Sequence, residues 1–191
     1  MVAGYFYMHI KDDSRITGKF QQLLFYCYYH VIASFNTGDA MSDTALPGTL
    51  PSWIKEHLEL YLEDGEAGHL WDASLGGGEG MLSTLLLTTT GRKSGRASIL
   101  PLLYQATEDG GYCVVASKGG APTHPAWFLN LEAEPQARIQ VINEKMSVKA
   151  RVATGEERQK LWKMMVEFYA PYEDYQALTE REIPVVVLNP V

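Results

Sequence analysis

The sequence predicts a small α+β barrel of mostly antiparallel strands with flanking helices, on three observations. Short β-branched and leucine-rich runs recur between turn signals from position 82 to 188. No strand–helix–strand period repeats, as a doubly wound parallel sheet would require. The composition is ordinary for a globular protein: 191 residues, 46% hydrophobic and 20% charged. At about 150 residues per domain, this length holds one compact domain and an appendage.

Residues 1–40 read as the appendage and 41–191 as the single domain. The appendage holds Tyr5, Phe6, Tyr7, Phe20, Phe25, Tyr26, Tyr28, Tyr29 and Phe35. Its charges cancel, Lys11, Arg15 and Lys19 against Asp12, Asp13 and Asp39, so residues 41–191 carry the whole charge of −7. The apolar run over 23–35 falls short of the about 20 residues a spanning helix needs. Three readings are open: an over-extended start with Met41 the biological one, an added helix on the domain or a membrane surface, or an export signal lacking a clean small-x-small site.

The domain's elements follow in order. Residues 41–51 are a Pro/Gly-punctuated lead-in. Ser52 is placed to cap a helix over 53–63, striped by Ile54, Leu58, Tyr61 and Leu62 and ended at Gly65. Gly76, Gly77, Gly78 and Gly80 form a flexible break before a buried strand over 82–90. A basic turn, 91–96, leads to a strand over 99–105. The Glu108-Asp109-Gly110-Gly111 hairpin signal leads to another over 112–117. Thr123 is expected to cap a helix with Pro125 in its first turn, running through Trp127 to Leu131. Strands over 138–142 and 146–152 come next. Thr154-Gly155-Glu156-Glu157 is a capping box opening a helix striped by Leu161, Met164, Met165 and Phe168. Pro171 opens a short helix, and 183–188 is the closing strand.

Charge and composition exclude several functions. Lys and Arg number 16 against 23 Asp and Glu, the wrong sign for a nucleic-acid binder. Cys27 and Cys113 cannot build a disulfide scaffold and fit a reducing cytosol. His9, His30, His57, His69 and His124 show no metal-ligand spacing, so no metal site is expected. His69-Leu70-Trp71-Asp72 reads as a packed loop, and no nucleophile elbow is present.

Four local features, the second and third adjacent in the chain, are candidates for chemistry. Arg92, Lys93 and Arg96 sit on a turn bracketed by Gly91 and Gly95, where clustered cations suit phosphate or carboxylate. A buried strand ends at Ala116-Ser117-Lys118-Gly119-Gly120, offering a hydroxyl, an ammonium and backbone N–H groups. Trp127 and Asn130 follow three apart on one helical face, a flat wall beside an amide. Tyr172 and Tyr175 are likewise three apart, with Tyr169 before the proline, and phenols can line an apolar slot. Taken singly, these also read as a solvated hairpin tip, a Gly-Gly turn, a core tryptophan with a helix-end asparagine, and a packing seam.

Their order carries more. The segments Thr88-Thr89-Thr90-Gly91-Arg92-Lys93-Ser94-Gly95, Pro101-Leu102, Ala116-Ser117-Lys118-Gly119-Gly120-Ala121, His124-Pro125-Ala126-Trp127-Phe128-Leu129-Asn130-Leu131, Tyr172-Glu173-Asp174-Tyr175-Gln176 and Arg181-Glu182-Ile183-Pro184-Val185-Val186-Val187 resemble the deazaflavin (coenzyme F420)-dependent nitroreductase and quinone reductase family. The resemblance runs from about position 53 to 190. It implies a split β-barrel, FMN-binding-like, that holds reduced F420 in an open groove and passes a hydride to a quinone or nitro-type acceptor.

By the same resemblance, Arg92 and Lys93 meet the phosphate and oligoglutamate tail. Pro101, Ala116, Lys118, Trp127 and Asn130 hold the deazaflavin ring, and Ser117, Tyr169, Tyr172 and Tyr175 line the acceptor side. The chain has Ser98 where the family often has arginine, leaving Arg96 to take over that tail contact. It has Leu103, then Tyr104, where some members have tyrosine directly after Pro-Leu. The implied partner is a small electron acceptor such as a quinone, in a cytoplasmic protein for which a homodimer and peripheral association with the inner membrane face are open. The alternatives are an FMN or haem binder of the same fold, a non-catalytic F420 or quinone carrier, and a membrane-surface module.

Overall fold

The computed structural model describes residues 44–45 and 52–191, so the readings of residues 1–40 lie outside the described residues. In chain order the elements are β1 (Thr44–Ala45), α1 (Ser52–Glu63), α2 (Gly65–Gly68), β2 (Leu70–Asp72), a 3-10 turn (Ala73–Gly76), β3 (Met81–Thr90), β4 (Ala97–Leu103), β5 (Gln105–Ala106) and β6 (Tyr112–Val115). A second 3-10 turn (Lys118–Gly120), α3 (Ala126–Ala133), β7 (Gln136–Val141), β8 (Glu144–Val152), α4 (Gly155–Phe168), α5 (Pro171–Ala177) and β9 (Val185–Pro190) complete the chain.

Strands β4, β3, β7, β8, β9 and β6 are consecutive antiparallel neighbours and form a closed six-stranded split barrel with flanking helices. Closure comes from the segment expected as one strand over 99–105, which breaks at Tyr104. Before the break it pairs with β3, and after it Gln105 and Ala106 pair with Cys113 and Tyr112 of β6. One bent stretch thus joins both ends of the sheet.

Alternation explains the uninterrupted apolar strands. On β6 and β9, Cys113, Val115, Val185 and Val187 face one cluster with Leu161 and Met165 of α4, whereas Val114, Val186 and Leu188 face the other with Trp127 and Leu131 of α3. On β3, Leu85 and Leu87 join the second cluster while Leu86 packs on Leu58 and Tyr61 of α1. Strands covered on both faces have no polar side to show.

Four expectations need correction. Thr123 does not cap α3: the cap position is Pro125, without a side-chain bond, and the Thr123 hydroxyl instead accepts from Lys118 Nζ at 2.8 Å. Helix α4 starts where the box predicts, yet Thr154 makes no capping bond. Glu157 is taken by Arg151 in a two-pronged pair at 2.6 Å on each prong. The His69–Asp72 stretch is not all loop, because β2 pairs with β3. The glycine break is a packed turn. A Cβ on Gly76 would stand 2.6 Å from the Trp71 ring, so any side chain there would force the packed rings to shift. Among the described residues no helix is long and apolar enough to cross a membrane.

Candidate active site

An open cleft enclosing about 770 Å³, its solvent mouth included, lies between the barrel and helices α1, α3 and α5. Its walls come from distant parts of the chain. Pro101, Leu102 and Leu103 of β4 and Trp127 of α3 form an apolar side. Ser117, Lys118 and Gly119, just past β6, form a polar rim, and Tyr169, Tyr172 and Tyr175 add a phenolic side.

The rim has an unusual backbone. Ser117 is right-handed helical, and Lys118, Gly119 and Gly120 follow with φ of +52°, +59° and +76°. A right-handed residue followed by left-handed ones turns successive N–H groups to one side, a concavity that receives anions and carbonyl oxygens. Lys118 occupies a conformation that side chains rarely adopt, a strain typical of ligand sites. Desolvation and the neighbouring Arg181 cation lower its ammonium pKa from the usual lysine value. Ala116 lies under the rim, fully buried in the barrel cluster.

The three phenols form one group, with Tyr169 and Tyr172 ring centroids 5.0 Å apart and Tyr172 and Tyr175 6.3 Å apart. Tyr169 donates to the Gly76 carbonyl at 2.6 Å, and Tyr175 lies 3.2 Å from the Tyr169 oxygen. Burial raises the pKa of Tyr169 and Tyr175 above that of an ordinary phenol, so both stay protonated at neutral pH and act as donors.

The basic turn does not border the cleft but is pinned to the helix that does. Asn130 on α3 is 5% exposed, and its oxygen accepts from the Arg92 backbone N–H at 3.1 Å and from Arg92 Nη1 at 3.2 Å. Its amide nitrogen donates to Thr89 Oγ1 at 3.1 Å. Trp127 and Asn130 therefore divide the work of α3: one faces the cleft, the other faces the turn. Lys93 and Arg96 are carried on that turn, which Gly91 N–H closes onto the Arg96 carbonyl at 2.8 Å.

A scan against known families matches residues 56–190 to the F420H(2)-dependent quinone reductase family. The chain belongs to that family. A Mycobacterium tuberculosis protein named as an F420H(2)-dependent quinone reductase is 35% identical over 148 residues, covering 72% of this chain and 95% of that one. Another protein of that organism bearing the same family name is 42% identical over 107 residues, covering 56% and 89%. A solved F420-H2 dependent reductase has a TM-score of 0.51 at 44% identity, covering 56% of this chain and 93% of its own. A second solved chain, described as a domain-swapped dimer, has a TM-score of 0.53 at 38% identity, covering 72% and 98%.

In this quinone reductase family member, several cleft residues escaped the sequence reading, among them Trp53, His57, Trp71 and Thr84. Trp53 stacks on Trp71 with centroids 5.5 Å apart, and His57 Nε2 lies 3.2 Å from Thr84 Oγ1. The Thr84 hydroxyl approaches the His69 carbonyl at 3.0 Å, which leaves its oxygen to accept from a neutral His57. Burial lowers the His57 pKa and favours that neutral form. The helical spacing of Trp53 and His57 on α1 was a legible signal; their meeting with β2 and β3 was not. Leu103 lines the cleft, whereas Tyr104 turns away onto His69 and Tyr112.

Proposed function

We propose that this cleft holds reduced coenzyme F420 beside a quinone and that the protein catalyses hydride transfer from one to the other. The observation that carries the reading is the shared cleft: the donor-rich rim, the Trp127 wall and the phenols meet in it, and Asn130 ties it to the basic turn. The residues fit the cofactor. Lys118, Ser117 and the turned backbone N–H groups are donors, as a carbonyl-rich ring and an anionic tail require.

When bound, F420H2 supplies the hydride. The chain's part is to orient the reactants and keep them together, which needs no acid–base dyad. Pro101, Lys118 and Trp127 flank the ring, Ala116 supports the rim from beneath, and Asn130 acts on the tail side through its hold on the basic turn. Arg92 and Lys93, with Arg96 beside them, receive the phosphate and tail. Ser117 and Tyr172 donate hydrogen bonds to the acceptor oxygen as charge develops on it, with Tyr169 and Tyr175 shaping that side. A nitro group presents the same planar acceptor oxygens and suits the same slot.

F420 titrated with the protein is expected to bind with quenched ring fluorescence. Arg92→Ala combined with Lys93→Ala should weaken binding at least a hundredfold, since two charge-assisted contacts are lost at about 1.5–3 kcal/mol each. Folding should persist, because the Arg92 backbone N–H keeps its bond to Asn130. Unchanged affinity in the double variant would remove the tail site from this turn.

A further inference from the structure

Arg181 lies in the segment between α5 and β9, outside the residues assigned to cofactor or acceptor. Its guanidinium nevertheless reaches back about sixty positions and holds the cleft rim by three carbonyls. Nη2 donates to the Ser117 carbonyl at 2.6 Å and to the Ala116 carbonyl at 3.3 Å, and Nε donates to the Ala121 carbonyl at 2.8 Å. Nη1 adds the Ala116 carbonyl at 3.3 Å and His124 Nδ1 at 3.2 Å.

The peptide bond is planar and trans, so each carbonyl turned toward Arg181 turns the N–H of the same unit the opposite way. For the first two carbonyls those are the N–H groups of Ser117 and Lys118, both on the cleft rim. Arg181 is also linked to the helix that carries Tyr172 and Tyr175. Gln176 of α5 donates from Nε2 to the Arg181 carbonyl at 2.9 Å and accepts from the Ile183 N–H at 2.8 Å. Gln176 sits next to Tyr175 on that helix.

We propose that Arg181 is a positioning residue for hydride transfer: it aims the Ser117 and Lys118 amide groups at the cleft and, through Gln176, sets the distance between that rim and the phenols of α5. The proposal rests on the quinone reductase reading of the same cleft. A lysine cannot replace the residue, because one ammonium lacks the planar fork that spans several carbonyls.

The test uses Arg181→Lys and Arg181→Ala in the full chain, with F420H2 and menadione as reactants. For Arg181→Lys, kcat is expected to fall about 10- to 100-fold, and amide exchange across 116–121 should speed up while β8 and β9 keep wild-type protection. Added methylguanidinium should return about tenfold in kcat to Arg181→Ala. Wild-type kcat in Arg181→Lys, unchanged exchange of the rim, or a folded Arg181→Ala that methylguanidinium does not help would each overturn the proposal. If Arg181→Ala does not fold, Gln176→Glu takes its place: it removes the donor to Arg181 at nearly constant shape, and wild-type turnover there would also overturn the proposal. Should the wild type fail to oxidise F420H2, the reductase reading falls, while rim exchange still decides whether Arg181 holds the loop.

Discussion

Gly120→Ala is expected to lower turnover at least tenfold and to cost about 2–5 kcal/mol of stability. Two effects add at this position. The backbone has φ of +76°, where an L side chain pays about 1–2 kcal/mol. The new Cβ would also stand 2.7 Å from the Tyr175 carbonyl oxygen and 2.9 Å from Leu178 Cβ. A backbone oxygen cannot swing aside as a side chain can, so α5 must move off the rim, an overpacking strain of about 1–3 kcal/mol. Gly95→Ala is the control: φ is +69° but no atom lies within 4 Å, so only the backbone cost applies. At about 2–4 °C per kcal/mol for a domain of this size, thermal melts separate the two variants. Equal losses would show that α5 does not press on the rim.

Trp127→Ala is expected to destabilise the fold by about 3–5 kcal/mol, the usual cost of truncating a buried large aromatic. Trp127 is 5% exposed, packs edge-on to Phe128 at 6.2 Å and belongs to the cluster inside the barrel. Because it also walls the cleft, F420 affinity should fall with stability. Trp127→Phe separates the two effects: it refills much of the core, and F420 binding should recover only in part. Denaturant melts paired with the fluorescence titration check both, and a Trp127→Ala protein of wild-type affinity would take the tryptophan out of the ring wall.

What the sequence made legible was local. The runs of β3, β6 and β9, the stripes of α1 (Leu62 excepted, which is 39% exposed) and α4, and the i, i+3 spacing of Tyr172 and Tyr175 each follow from neighbouring residues, and their register with a known family places them in order. What was missed depends on partners far away in the chain. Thr123 and Glu157 have the right chemistry for helix capping, but Lys118 and Arg151 compete for them in the folded state. Three-residue β2 is too short for an alternation signal, and the bend at Tyr104 exists only because β6 offers a second pairing edge. Asn130 looked like a ring contact from its helical face, yet its amide is spent on Arg92 and Thr89. Arg181 stood in one of the segments that carry the family resemblance, but its role was not legible, since its carbonyl partners lie 60 to 65 positions upstream.

The most direct test of the central claim is the anaerobic rate of F420H2 oxidation by menadione with and without the protein. The account predicts a rate proportional to protein concentration, saturable in both reactants and yielding one hydroquinone per F420H2 oxidised. Tight binding of F420H2 with oxidation no faster than in protein-free buffer would contradict it and make the protein a carrier.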